Sequence, residues 1–260
     1  MGTSSSFKGK VGSALLPDDF NENDTTNENN GKEQNIIDVD DLNDIEKINP
    51  INWTTAKTSM SKYITSAGRV GTPRNIVKNY IKASGGSNRI MSNSTKSRNA
   101  AYRIGTILGE FATQGISKTL NDIGLSLSHN SLPEAMSKLV NYVEGSAMTK
   151  NDIAIRTATA NTLEKLLELD EGNDRLDEVT ANVLMQYFMA DLIWQQMLID
   201  FGYSFEKYGD NQAILDSVEA DIKEYIKANV ETSFKRNKDK VFSKNMFDSV
   251  MKSCLEIMEE

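Results

Sequence analysis

Residues 176–201 read LDEVTANVLMQYFMADLIWQQMLIDF and form the longest apolar segment of this 260-residue chain. Apolar side chains recur in it every three or four positions, which is the period of an α-helix. The members of this stripe are Val183, Tyr187, Ala190, Trp194 and Met197. Four further apolar residues widen it: Leu184, Phe188, Leu192 and Ile193. The segment therefore predicts a central, largely buried helix.

The same helical period marks most of the chain on both sides of this segment. No stretch alternates apolar and polar residues with the β-branched enrichment that a strand requires. The other expected helices lie near residues 54–65, 73–84, 94–111, 133–144, 149–171, 215–230 and 246–257. We predict an all-α domain of seven or eight helices over residues 53–260, preceded by a disordered acidic tail over residues 1–52.

Three local patterns predict how these helices begin and pack. Thr149 and Asp152 resemble a capping box, which would open the helix behind them. Ala101, Gly105 and Gly109 lie four residues apart, so their small side chains would let another helix approach closely. The apolar face of the helix after residue 149 is expected to comprise Ile153, Ala160, Leu163 and Leu167.

Charge is distributed in blocks along the chain, whose net charge is −8. Residues 1–52 carry 4 basic and 11 acidic groups, a balance of −7. Residues 53–118 carry 11 basic groups and one acid, a balance of +10, and residues 119–260 have a balance of −11. The basic block must therefore face solvent, an acidic partner, the chain's own acids or nucleic acid.

Composition also indicates a compartment. The single cysteine, Cys254, excludes an intramolecular disulfide and is typical of a reducing cytoplasm. The start lacks the apolar core of a signal peptide, and no later run has the roughly 18 apolar residues of a membrane span. We predict a soluble cytoplasmic protein without a membrane partner.

Few residues suit catalysis. His129, the only histidine, precedes Pro133 in an expected surface loop, and Cys254 lies on the apolar stripe of the last helix as a buried, inert thiol. One histidine and one cysteine cannot build a zinc site of the common kind. Asp191 interrupts the buried stripe and is interpreted as a rim position or a hydrogen-bonded core carboxylate. We assign no catalytic residue, metal ligand or cofactor; a hydrolase built on Asp191 and neighbouring acids is the remaining enzymatic hypothesis.

The beginning of the chain has almost no side-chain bulk. Met1 precedes the small Gly2, so aminopeptidase cleavage would expose a glycine amine on a slender strand. That strand continues with Thr3, Ser4 and Ser5. The same start fits the N-myristoylation pattern, but that modification needs a eukaryotic enzyme and the Asn- and Lys-rich composition is more typical of bacteria. The short apolar run that ends with Leu15, Leu16 and Pro17 is either a docking peptide or a chance cluster in the leader.

The basic block combines many cations with interspersed tyrosines, a mixture that suits phosphate contacts. Its members are Arg69, Arg74, Lys78, Lys82, Arg89, Lys96, Arg98 and Arg103. No named DNA-binding motif accompanies them, and the chain as a whole is acidic. The sequence favours a basic face that meets an acidic partner or the protein's own tail, with nucleic acid as the alternative. Gly85-Gly86-Ser87 lacks the Gly-Lys-Ser/Thr ending of a phosphate loop and is interpreted as a helix stop.

Several of these segments resemble the QatB family, a component of the Qat anti-phage defence system of bacteria. The resemblance rests on the start MGTSSS (residues 1–6), the apolar piece ending at Pro17, the acidic spacer, Gly85-Gly86-Ser87 and the basic segment RNAAYR (residues 98–103). It implies a defence unit whose other members are an ATPase, a QueC-like protein and a TatD-like nuclease. QueC-type enzymes activate a deazapurine carboxylate with ATP and then add nitrogen.

The resemblance implies that the amine of Gly2 takes the place of ammonia and forms an amide with a deazaguanine. Thr3, Ser4 and Ser5 would then enter the partner's pocket, and Leu15, Leu16 and Pro17 would anchor the tail outside it. We therefore expect a non-enzymatic adaptor and substrate protein whose helical body docks other members. The alternative is a nucleic-acid-binding module that uses residues 69–103.

Overall fold

The computed structural model describes residues 53–128, 131–144, 149–169, 173–237 and 244–260. These residues form eleven helices and no strand, which confirms the predicted all-α fold. The helices are α1 (Trp53–Thr65), α2 (Pro73–Ala83), α3 (Ser87–Asn93), α4 (Thr95–Thr113), α5 (Ile116–Asp122), α6 (Leu132–Glu144), α7 (Lys150–Leu169), α8 (Glu178–Asp200), α9 (Gly202–Glu206), α10 (Gln212–Arg236) and α11 (Lys244–Glu259).

The eight longest helices correspond to the eight stretches expected from the sequence. The other three are short, since α3 and α5 have seven residues each and α9 has five. Two turns or fewer hold too few positions to display a helical period, so the sequence pattern does not reveal them. None of the described helices combines the length and apolarity that a bilayer-spanning helix requires.

Helix α8 lies in the middle of the helical core, where it packs against α4, α7 and α10. Its first turn is capped by Asp177, which accepts a 2.9 Å hydrogen bond from the Thr180 N–H. Phe188 and Trp194 are fully buried, as predicted, but half of the Val183 surface (50%) is exposed. Because α8 is apolar around most of its circumference, residue spacing alone does not reveal which edge faces solvent.

The buried face of helix α7 differs from the face that the sequence predicted. Ile153 is 57% exposed and Ala160 is also exposed, whereas Leu163 is buried as expected. The buried face instead includes Thr159 and Thr162, whose hydroxyls donate to the main-chain oxygens of Ile155 and Ala158 at 2.8 and 2.7 Å. These internal hydrogen bonds satisfy the threonine hydroxyls, so small polar residues can line a tightly packed helix interface.

The predicted capping box at the start of α7 is present. The carboxylate of Asp152 accepts hydrogen bonds from the main-chain N–H and the hydroxyl of Thr149, both at 2.7 Å. In return the Thr149 hydroxyl accepts from the Asp152 N–H at 3.4 Å. Lys96 of α4 also contacts the Asp152 carboxylate at 3.2 Å, so the cap ties α4 to α7.

Helices α1 and α2 meet α8 through aromatic side chains. Pro73 is the first residue of α2, as predicted, and the Thr72 hydroxyl caps it by accepting from the Asn75 N–H at 3.2 Å. Trp53 packs edge-on against Tyr80 and Phe201, with ring centroids 5.9 and 6.3 Å away. These contacts place the start of α1 beside the end of α8 and define one wall of the cavity described below.

Candidate functional site

Gly85-Gly86-Ser87 forms the turn between α2 and α3, as the helix-stop interpretation predicted. Both glycines have positive φ angles, +92° and +87°. The Gly86 N–H closes α2 by donating to the Ile81 oxygen at 2.9 Å. The Ser87 N–H donates to Oε2 of Glu259 at 2.9 Å, so a carboxylate from α11 caps the first turn of α3. The turn therefore ends α2 and attaches the first residue of α3 to α11.

The basic segment 98–103 also contacts α11. Arg98 Nη1 lies 2.8 Å from Oδ2 of Asp248, and the ring of Tyr102 meets that of Phe247 at a centroid distance of 6.5 Å. The predicted close approach along α4 occurs at Gly105, where a Cβ atom would lie 2.3 Å from Cζ of Phe247. Gly109 has no such neighbour within 4 Å. Both internal segments that carry the family resemblance therefore hold α11 in place.

Half of the eight predicted basic residues contact polar groups of this chain. Lys96 and Arg98 form the ion pairs with Asp152 and Asp248 already described. Arg103 donates to the main-chain oxygen of Val143 at 3.2 Å. Lys78 donates to the main-chain oxygen of Glu260. These four cations serve packing between helices, which reduces the part of the block that is free for a partner.

The other four cations, Arg69, Arg74, Lys82 and Arg89, are exposed. Within the described residues they form no salt bridge and no side-chain hydrogen bond. Arg74, Lys78 and Lys82 recur every fourth residue on α2, so they share one face of that helix. Helix α2 contains no acidic residue. These exposed residues of α2, of α3 and of the connection before α2 are called the cationic surface here: Arg69, Arg74, Lys82 and Arg89.

A cavity of about 250 Å³ opens beside this surface. Five helices contribute to its wall: α1, α2, α3, the first turn of α7 and the last turns of α8. The side chains that matter for its chemistry are Trp53, Tyr80, Arg89, Lys150, Asn151 and Asp200. The cavity thus combines two cations, one carboxylate, side-chain amides and two aromatic rings.

The Tyr80 hydroxyl fixes the one acid of this wall by donating to Oδ2 of Asp200 at 3.2 Å. Burial of the ring raises the pKa of Tyr80 well above its usual range, and the Asp200 charge raises it further. The phenol therefore stays protonated and remains a hydrogen-bond donor to the carboxylate. Arg89 and Lys150 stay available to a ligand, because neither forms a salt bridge among the described residues.

Asp191 is a hydrogen-bonded core carboxylate, one of the two structural interpretations of the sequence. It is 5% exposed and accepts hydrogen bonds from Asn161 at 2.8 Å and Gln195 at 3.3 Å. Lys223 of α10 lies 4.0 Å away. Amides and an ammonium surround the carboxylate, and no cluster of three or more His, Cys, Asp or Glu suited to a metal occurs in the described part of the chain. The geometry gives the hydrolase hypothesis no support.

Cys254 is buried in α11, which confirms the interpretation of an enclosed thiol. Burial raises its pKa to about 12, so the reactive thiolate is scarce at neutral pH. His129 lies outside the described residues. The same holds for every predicted residue of the leader: Gly2, Thr3, Ser4, Ser5, Leu15, Leu16 and Pro17.

Sequence reasoning singled out Arg89, and Tyr80 as a tyrosine of the basic block, but missed the roles of Trp53, Lys150, Asn151 and Asp200 in the cavity wall. Trp53, Lys150 and Asp200 are separated by about 50 to 150 positions in the chain and share no motif. One weak signal was available, because Lys150 and Asn151 directly follow the capping residue of α7 and must lie at an exposed helix start. Only the tertiary arrangement of α1, α7 and α8 shows that these residues line the same cavity.

Comparison with known proteins identifies the family. Residues 85–258 match the family model described as Qat anti-phage system associated protein QatB. No curated protein and no solved structure matches the chain. The matched region begins at the Gly-Gly-Ser turn and ends within α11, the two elements joined by Ser87 and Glu259. Since the match covers more than half of the 260 residues, the chain belongs to the QatB family of the Qat anti-phage system.

Proposed function

We propose that this protein is a non-enzymatic adaptor and substrate of the Qat anti-phage assembly, and that a QueC-like partner binds its N-terminal segment and conjugates Gly2 to a deazaguanine. The observation that carries the proposal is membership of the QatB family in a chain that begins MGTSSS. An amine that must reach the bottom of another protein's pocket needs a slender carrier. Gly2, Thr3, Ser4 and Ser5 have the required small side chains.

The chemistry uses the amine released when Met1 is removed. The QueC-like partner activates the carboxylate of a deazapurine with ATP. The nitrogen of Gly2 then attacks the activated carboxyl carbon and forms an amide bond. The ATP-derived activating group leaves with its bonding electron pair, and the amine loses a proton. This protein contributes the nucleophile and no catalytic residue, metal or cofactor, while Leu15, Leu16 and Pro17 anchor the segment outside the partner's pocket.

The helical body has a separate role in the proposal, which is to dock further members such as the ATPase and the TatD-like nuclease. The exposed cationic surface of Arg69, Arg74, Lys82 and Arg89 supports this role, because it suits an acidic protein face. The assembly belongs in the cytoplasm, where the single cysteine stays reduced.

Intact-mass spectrometry tests the conjugation directly. The chain is co-expressed with its Qat neighbours and compared with the chain expressed alone. We expect loss of Met1 in both samples and the added mass of one deazaguanine amide only in the co-expressed sample, located at Gly2 by peptide fragmentation. An unmodified Gly2 in cells that resist phage would remove the proposal.

Two variants test the role of the Gly2 amine. Gly2→Pro still permits Met1 removal but presents a hindered secondary amine, so we expect no added mass and no phage resistance. Asn27→Ala keeps the amine and lies outside both the Gly2 strand and the Leu15 to Pro17 anchor, so the modification and the resistance should persist. Full resistance with Gly2→Pro would contradict a role for this amine.

A nucleic-acid-binding module is the second candidate, and it is favoured by the four exposed cations that have no ionic partner in the described part of the chain. It predicts salt-sensitive retention of DNA or RNA that is lost when Arg69, Arg74 and Lys82 are all changed to Glu. Substitution of Lys96, which pairs with Asp152, should have a smaller effect. If the protein retains neither DNA nor RNA at low salt, this candidate is ruled out.

A further inference from the structure

The cavity between α1, α2, α3, α7 and α8 has no role in the function proposed above. Its side chains come from positions as distant as Trp53 and Asp200, so the fold itself brings them together. A cavity of about 250 Å³ has room for a phosphate group with part of an attached organic molecule, and its remainder can extend through the open mouth. The chemistry of its wall indicates what such a molecule would carry.

Two cations at the cavity have no acidic partner among the residues that the structure describes. Arg89 from α3 and Lys150 from α7 are both exposed, and neither forms a salt bridge within the described residues. The only acid in the described wall is Asp200, which is already held by the Tyr80 hydroxyl at 3.2 Å. The wall therefore has a net charge of +1 from these three groups, which favours an anion.

The position of Arg89 depends on the Gly-Gly-Ser turn. A Cβ atom on Gly85 would lie 2.3 Å from Cδ of Arg89, so the aliphatic part of this arginine packs where any other residue would place a side chain. Gly85 also has a φ angle of +92°, which glycine adopts without strain. The turn at which the family match begins thus positions the stem of Arg89, which lines the cavity. A guanidinium in this position can bind a phosphate with two parallel hydrogen bonds.

The rest of the wall suits a flat ring that carries hydrogen-bonding groups. Trp53 is only half-buried, since edge-on contacts with Tyr80 and Phe201 hold it but leave part of the indole towards the cavity. The side-chain amides of Asn93 and Asn151 line the same space and form no hydrogen bond with described residues. Amides and an indole together recognise the edge and the face of a nucleobase.

From these observations we infer that the cavity binds a nucleoside phosphate, with the phosphate at Arg89 and Lys150 and the base against Trp53. The same chemical group occurs in a free mononucleotide and at the phosphorylated end of a nucleic acid strand. The site is distinct from the Gly2 segment, and neither the QueC-like partner nor the conjugation is needed for binding.

Tryptophan fluorescence provides a direct test on the full chain. The protein has two tryptophans, and Trp194 is fully buried, so a ligand at the cavity should change the emission of Trp53 alone. We expect saturable quenching by AMP or GMP at low ionic strength, weaker binding of the nucleosides adenosine and guanosine, and competition by inorganic phosphate. Trp53→Phe should abolish the signal. No saturable binding of any nucleotide at millimolar concentration would overturn the proposal.

Charge variants decide whether the cavity or the general surface charge is responsible. Arg89→Glu and Lys150→Glu should each weaken nucleotide binding about tenfold or more, as expected for loss of a charge-assisted hydrogen bond. Lys118→Glu changes the net charge equally but lies exposed on α5 outside both the cavity wall and the cationic surface, so binding should stay within twofold. Equal loss in all three variants would refute a built site.

Two oligonucleotides then identify the source of the nucleotide. A short single strand with a 5′-phosphate should compete with the mononucleotide if a strand end is the natural ligand, whereas its 5′-hydroxyl counterpart should not. If neither competes while AMP or GMP binds, the ligand is a free nucleotide. Equal competition by both strands, unaffected by Arg89→Glu, would show backbone binding elsewhere and would contradict the assignment of this cavity.

Discussion

The main-chain N–H of Ser87 donates a 2.9 Å hydrogen bond to Oε2 of Glu259 and so joins the first residue of α3 to the last residue of α11. The two residues are 172 positions apart in the chain. A Cβ atom on the adjacent Gly86 would lie 2.9 Å from Oε1 of the same carboxylate, so a larger residue there would displace the end of this glutamate side chain. The Gly-Gly-Ser turn, which carries part of the family resemblance, therefore connects the start of α3 to the end of α11.

Removal of this carboxylate should destabilise the fold. Glu259→Ala leaves the Ser87 N–H of α3 without its acceptor, and we expect a loss of about 1 kcal/mol in the free energy of unfolding, typical of a lost helix cap. Glu256→Ala is the matched control, because Glu256 forms only an exposed pair with Lys252 and should change stability by less than about 0.5 kcal/mol. Urea denaturation gives both values, and equal losses would refute the capping role.

The two glycines of α4 should respond oppositely to alanine. At Gly105 the new methyl group would lie 2.3 Å from Phe247, so we expect Gly105→Ala to destabilise by about 1–3 kcal/mol through overpacking. At Gly109 no atom of the described residues meets a new Cβ within 4 Å, and Gly109→Ala should stabilise by up to about 1 kcal/mol because alanine favours the helix. Thermal unfolding of the two variants tests the pair. A Gly105→Ala variant as stable as the parent would contradict the packing of α11 on α4. A destabilised Gly109→Ala variant would contradict the open space beside that residue.

The sequence predicted the fold well where helices are long and have one apolar face. Leu215, Val218, Ile222, Ile226 and Val230 of α10 are all buried, as their spacing required. The pattern failed on α7, where the buried side is formed largely by small residues and threonines and Ile153 faces outward. Hydrophobic spacing cannot identify such a face, because it depends on how closely α8 approaches and on internal hydroxyl hydrogen bonds.

The sequence predicted less of the candidate site. It identified the basic block, but charge alone did not distinguish Arg98, which pairs with Asp248, from Arg89, which lines the cavity. The distinction requires the position of α11, and that position depends on long-range contacts such as the ring of Phe247 over Gly105. The sequence likewise did not predict that Asp200 lines the cavity, since its hydrogen-bond partner Tyr80 is 120 residues away.

Cys254 should be unreactive in the folded protein. Its thiol is buried and its pKa is raised to about 12, so thiolate is scarce at pH 8 and reagents cannot reach it. We expect no reaction with a chromogenic disulfide reagent in buffer and one equivalent per chain in guanidinium chloride, because the chain has a single cysteine. The double variant Lys252→Cys with Cys254→Ala, which moves the thiol to an exposed position of α11, should react in buffer. Rapid labelling of native Cys254 would contradict its burial.

The Asp152 carboxylate should make the stability of the domain depend on pH. Hydrogen bonds from the hydroxyl and the main-chain N–H of Thr149 hold the pKa of Asp152 below its ordinary 3.8, and Lys96 contributes in the same direction. Because the folded-state pKa is lower than the unfolded-state pKa, this stabilisation is present above the unfolded value and is lost as the pH falls through the folded value.

Asp152→Asn should therefore be less stable than the parent protein at pH 7, and the difference should narrow below about pH 4. Urea denaturation at several pH values measures that difference, with the exposed Asp210→Asn as a control that should show little difference at any pH. A destabilisation by Asp152→Asn that stayed constant down to the acid limit of folding would mean that ionisation of this carboxylate does not support the cap.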